Sequence, residues 1–297
     1  MTDVAGRRKG TIVRLGGGLL VVLAVGAAGA GYWVLAGVVL AAVVAAVVSR
    51  LPALGDTPLE RYVGAFTRLA LVVVQAIVFG AYVVPAQPAY AGAGLVLVVA
   101  VADLAGLRLP AALTRWLTVV LIAAAVVLIV LCAVVAPVVT STPIGTPSPA
   151  AVVVSALITL PFLLPVAPDR VSLRALTLGG LAVLVTIVAL VQLGPDRLGL
   201  SATSIRDLLY AADAGQLQPL LTVVVVLATV PATLTTFTDA RERYAPERGW
   251  ESAAGIVLAL AAALFASPYA VLVAAGLGTV VELVLRARNR RYRVAHE

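Results

Sequence analysis

From Leu15 to Ser49 the chain carries no charged residue. As one straight helix this stretch would be about 52 Å long at 1.5 Å per residue. The hydrocarbon core of a bilayer is only about 30 Å thick, so the stretch has to fold back on itself. Arg14 stands at one end and Arg50 at the other. A tight turn around Gly29–Trp33 places both on one side of a membrane. Gly29 and Gly31 supply the backbone freedom such a turn needs, and Trp33 suits the interface.

Similar apolar blocks recur to the end of the chain. Of 297 residues, 62% are hydrophobic and 12% charged, against about 45–50% and about 25% in soluble domains. That balance excludes a cytoplasmic enzyme, a nucleic-acid reader and a secreted disulfide scaffold. The expectation is an all-α polytopic membrane protein, a single transmembrane domain of about ten helices. The expected spans are 12–30, 33–49, 65–84, 91–107, 116–137, 150–166, 173–193, 217–237, 252–267 and 270–285. Ser267-Pro268 turns the last pair, and 286–297 is a basic C-terminal tail. The segment 194–216 lies between spans; 201–214 has the spacing of a short amphipathic helix, with Ile205, Leu208, Leu209 and Tyr210 against Arg206, Asp207 and Asp213.

Basic residues orient the spans. With the N-terminus inside, 19 of the 21 Lys and Arg fall on the cytoplasmic side, and only Arg197 and Arg206 fall outside. This is the positive-inside pattern, with both termini cytoplasmic. The net charge of +7 is therefore loop bias and implies no nucleic acid. Residues 1–30 also look like a signal peptide, whose cleavage would leave nine spans, but the apolar run is longer than a usual signal core. One lysine against 20 arginines suggests a GC-rich bacterial genome, hence a bacterial inner membrane with the lipid bilayer as surrounding partner.

Polar residues within the spans are few. Asp103 and Glu282 lie near span ends, where Arg108 and Arg286 are the expected partners. Gln75 sits in the middle of the third span and can bond across helices or to a ligand. Gln192 is expected at the interface and Cys132 in the core. The eighth span carries a threonine-rich run, 233–238, whose hydroxyls can bond one turn back. Pro161 and Pro231 each remove a helical N–H inside a span. The sequence has no HExxH, G-x-S-x-G or P-loop, and its only histidine, His296, is in the tail. No enzyme activity, metal or cofactor is implied.

Three stretches resemble the amino acid/polyamine/organocation permease superfamily. Residues 103–119 (DLAGLRLPAALTRWLTV) resemble the link between spans four and five of those permeases, with Asp103 in the place of an Asn, then Gly106 and Arg108. Residues 236–249 (TFTDARERYAPERG) resemble the link after span eight. Residues 201–214 resemble the outer helix between spans seven and eight. The resemblance implies a 5+5 inverted-repeat (LeuT-like) arrangement, with repeat one about 12–137 and repeat two about 150–285. It also implies helix breaks in spans one and six that cradle a substrate. Gly29, Ala30 and Gly31 would then face a substrate carboxylate, Thr159, Pro161 and Phe162 its amino end, and Gln75 would line the cavity. The chain departs from that pattern where 26–31 runs almost directly into the second span, and where Pro165, Pro168, Asp169 and Arg170 soon follow the sixth.

The resulting expectation is a secondary transporter of amino acids or related small amines, working by alternating access. The alternative is a non-transporting accessory subunit that has lost the substrate site. It would bind a membrane protein partner through small-residue faces around Gly26/Ala30 and Gly276/Val280.

Overall fold

The computed structural model describes residues 10–49, 51, 57–134, 146, 148–164, 172–200, 203–211, 214–243 and 249–294. Arg7, Arg8, Lys9, Arg50, Pro165, Pro168, Asp169, Arg170, Asp213, Arg248 and His296 lie outside them. The described residues are helical and include no strand. In chain order the helices are α1 (Gly10–Ala30), α2 (Val34–Val48), α3 (Pro58–Val83), α4 (Pro88–Leu104), α5 (Ala111–Val134) and α6 (Pro149–Leu163). They continue with α7 (Ser172–Leu200), α8 (Ser204–Ala211), α9 (Gln218–Arg243), α10 (Gly249–Phe265) and α11 (Pro268–Val294). Six helical stretches are long and apolar enough to cross a membrane: Val21–Val48, Pro58–Val83, Ala112–Leu131, Thr177–Leu200, Gly215–Arg243 and Pro268–Asn289. Pro88–Leu104, Pro149–Leu163 and Glu251–Phe265 are shorter apolar helices. The architecture is that of an α-helical, multi-pass membrane protein.

Local chemistry sets several helix starts. Pro58, Pro88 and Pro149 occupy first-turn positions, where the missing N–H costs nothing. Thr57 and Glu60 form a reciprocal capping box on α3, and Ser148 and Ser267 accept from Ala151 N–H and Ala270 N–H. Such caps satisfy the orphan donors of a first turn.

The turn between α1 and α2 is a three-residue 3-10 segment, Gly31–Trp33. Gly31 has φ +57°, which suits only glycine at low cost. The turn brings Val34 back over Gly26, where an added Cβ would lie 2.6 Å from the valine side chain. The two helices then diverge, and α6 fills the V between them. Ser155 of α6 is met by Gly37 of α2 on one side and by Gly26 of α1 on the other. Lower down, Phe162 lies over Gly18, where no Cβ would fit.

A second close pair is α3–α4. A Cβ on Gly80 would overlap the Pro88 carbonyl, and one on Gly92 would lie 2.8 Å from the Ala76 oxygen. α3 is also sandwiched by α9 and α11, and its middle is wholly inside, from Leu69 to Ala76. The opposite surface of the bundle, along α4, α5 and α10, exposes large apolar side chains such as Val98, Val127 and Val257, as a lipid-facing wall does.

The expected end of the seventh span at 193 coincides with a backbone break at Gly194 (φ 69°), after which a second helical segment runs to Leu200. Other boundaries differ from the sequence reading: α3 begins at Pro58 and α5 at Ala111, earlier than the expected 65 and 116. Helices α9 and α11 run past the apolar limits to Arg243 and Val294, so most of the basic tail is helical. The reason is tertiary, since Asn289 reaches back to the Glu60 carboxylate on α3. Gln192, expected at the interface, is buried against the bundle at 2% exposure.

Candidate functional site

The residues expected to surround a substrate fall into separate places. Gly29 is exposed, with nothing within 4 Å of where a Cβ would be, and Gly31 faces only Pro195. Ala30 is buried at the turn. Gly29 and Ala30 close α1, a helix that runs unbroken from Gly10, and Gly31 opens the 3-10 turn that follows it. Thr159, Pro161 and Phe162 lie on the stretch of α6 that passes Gly18, about 16 Å further down α1 than Gly29 at 1.5 Å per residue. The two groups are not brought together. An unbroken helix keeps its peptide groups bonded to one another, which leaves none to hold a ligand.

Pro161 does free a carbonyl, that of Leu157 four residues back. The chain uses it for packing. Gly276 of α11 sits against it, and a Cβ there would lie 2.5 Å from the Leu157 oxygen. The Thr159 hydroxyl donates to Ser155 O at 2.7 Å. Gly276 and Gly26 thus make close contacts inside the bundle.

Neutral polar groups do line the interior. Gln75 on α3 and Thr229, Thr233 and Thr236 on α9 are buried, none more than 1% exposed. Thr229 and Thr233 donate to the carbonyls of Val225 and Thr229 at 2.7 Å, as helical threonines commonly do. The Thr236 hydroxyl has no hydrogen-bond partner. Beside this stripe, Leu69, Phe237, Ala240, Arg241, Ser252, Gly255 and Ile256 line a half-open recess of about 10 Å³, enough for a single water at most.

Charge is concentrated at one end of the bundle, where α3 and α10 begin and α4, α9 and α11 finish. The Asp103 carboxylate, fully buried, accepts from Arg108 at 2.6 Å and Thr238 at 2.7 Å, and pairs with Arg241 at 2.9 Å. It joins α4 to α9. Glu282 of α11 accepts from Arg68 of α3 at 2.6 Å and from Arg286 at 3.4 Å. Arg68 also donates to Gly64 O at 2.7 Å. Tyr62 donates to Glu251 at 3.1 Å, joining α3 to α10. The Asp103–Arg108 and Glu282–Arg286 pairs follow from short sequence spacings. Arg241 and Arg68 do not, being 138 and 214 positions from their partners. The available signal was Arg68 itself, an arginine three residues inside an apolar span.

The other end is held differently. Arg206 of α8 donates to the Tyr82 carbonyl at 2.8 Å, closing one of the carbonyls left open at the end of α3. Groups of three or more metal-ligating side chains are absent among the described residues. The chain matches no protein-family model and no curated protein.

Proposed function

We propose that the protein is a secondary transporter-like protein of a bacterial inner membrane. It carries a small amino acid or related amine by alternating access, through ten spans in a 5+5 inverted repeat with both termini cytoplasmic. The observation that supports this reading is the pattern of helix neighbours. Exchange α1–α5 with α6, α7, α9, α10 and α11, and most packing pairs map onto one another. The pair α1–α7 maps onto α6–α2, α3–α10 onto α9–α4, and α6–α11 onto α1–α5, while α1–α6, α2–α7, α3–α9 and α4–α10 map onto themselves. The tight α3–α4 pair has no equally close counterpart in α9–α10. In this reading the arginine-rich end is cytoplasmic. Its ion pairs hold that side closed, and Gln75 and Thr236 are the polar groups placed to meet substrate.

The unbroken α1, and Phe162 seated over Gly18, favour a second reading. In it the chain is an accessory membrane subunit that has lost the substrate site. Purified protein distinguishes the two in a thermal-shift screen of amino acids and small amines, followed by counterflow in proteoliposomes. A ligand at a hundred times its Kd adds about 2.7 kcal/mol to apparent stability. Transport predicts a stabilising compound that also exchanges across the vesicle, with both signals weakened in Gln75→Leu or Thr236→Val. Folded protein that responds to nothing in the panel would sink the transport reading in favour of the accessory one.

A further inference from the structure

The Glu282 cluster holds more cationic donors than acceptors. Arg68 and Arg286 have side chains only 6% and 9% exposed. Both share one carboxylate, and the Nε–H of each has no hydrogen-bond partner. A third guanidinium, Arg243 in the last turn of α9, lies close enough to repel Arg68 and Arg286 and to be attracted by Glu282 and Asp239. Among the described residues, three positive groups therefore face the Glu282 and Asp239 carboxylates. Buried charged donors left unmade are costly, and a cluster of this composition is short of acceptor oxygens. Arg243 is only partly buried, so the cluster has a side open to the surface. It also stands at the charged end of the bundle, with Arg243 in the last turn of α9. Guanidinium groups suit phosphate because their donors match its oxygens in pairs, and basic pockets between helix ends are where anionic headgroups settle.

We propose that Arg68, Arg243 and Arg286 form a binding site for a phosphate-bearing anion between the ends of α3, α9 and α11. The phosphate belongs either to the headgroup of an anionic phospholipid or to a free anion. The inference rests on the membrane setting and not on the transport reading. In detergent, the full chain is titrated with a short-chain phosphatidylglycerol, a phosphatidylcholine of equal length, and inorganic phosphate. The readouts are apparent melting temperature and lipid retained in native mass spectra. The comparison variants are Arg243→Gln at the open side, Arg68→Gln within the cluster, and Arg115→Gln. Arg115 is exposed at the same end of the bundle, so its variant removes the same charge elsewhere. The expected result is stabilisation of the native chain by phosphatidylglycerol over phosphatidylcholine. Arg243→Gln should weaken it about tenfold, and Arg115→Gln should leave it unchanged. Stabilisation by inorganic phosphate as well would assign the site to any phosphate anion; its absence would assign it to lipid. If neither phosphatidylglycerol nor inorganic phosphate stabilises folded native protein beyond phosphatidylcholine, or if Arg115→Gln weakens binding as much as Arg243→Gln, the site does not exist. Should Arg68→Gln fail to fold, the Arg243 and Arg115 comparison decides alone.

Discussion

Glu282 and Asp103 are both buried acids that hold two arginines, yet neutralising them should have unequal effects. The difference lies in where the arginines can go. Around Glu282, the side chains of Arg68 and Arg286 are 6% and 9% exposed, and neither can swing fully into water as a surface arginine would. Glu282→Gln leaves two guanidinium groups buried beside a neutral amide. Breaking a buried pair by removing one partner costs about 3–5 kcal/mol. Around Asp103, Arg108 and Arg241 are 46% and 33% exposed and can swing to solvent. Asp103→Asn also keeps an acceptor for Thr238, so its cost is about 1–2 kcal/mol. Equilibrium unfolding of the purified variants in mixed micelles, followed by circular dichroism, measures both. Adding Arg68→Met to Glu282→Gln should recover part of the loss, because a balanced apolar replacement removes the stranded charge. The reasoning is refuted if Glu282→Gln lies within about 1 kcal/mol of the native chain, or if Asp103→Asn is the more damaging of the two.

Three further outcomes follow from the packing. Gly80→Ala forces a methyl into the Pro88 carbonyl, where backbone cannot yield; a loss of about 1–3 kcal/mol should appear in the same unfolding assay. Gly29→Ala meets open space and should stay within about 0.5 kcal/mol of the native chain, with any ligand response intact; loss of that response would put the α1 turn back into a substrate site. Thr57→Ala removes the side-chain half of the capping box on α3 and leaves Glu60 accepting from the residue-57 N–H; it should cost about 1 kcal/mol, seen as faster amide exchange in the first turn of that helix.

The candidate site was only partly legible in the sequence. Glu282 with Arg286 could be paired from spacing alone, because four helical residues bring side chains to one face, and Asp103 with Arg108 because both stand at the end of the same span, five positions apart. Pro161 was legible as a helix irregularity, but not its use. Spacing cannot say that the freed Leu157 carbonyl meets Gly276, more than a hundred residues away. Gly29–Gly31 illustrates the same limit. Glycines permit either a broken helix or a turn, and the choice depends on what stands beside them. Here the turn at Gly31 lies against Pro195, and α6 takes the space between α1 and α2.

By itself the sequence determined that the protein is helical and lives in lipid. It also determined that the Leu15–Ser49 stretch must reverse, because hydrocarbon thickness and the need to satisfy every backbone group leave no other structure. It placed most charge at helix ends for the same reason. Only the tertiary structure decided which polar groups meet: Arg68 with Glu282, Arg241 with Asp103, Asn289 with Glu60. Helix order along a chain does not fix helix order around a bundle. That arrangement depends on which glycines let backbones approach, and on where a buried arginine finds its carboxylate.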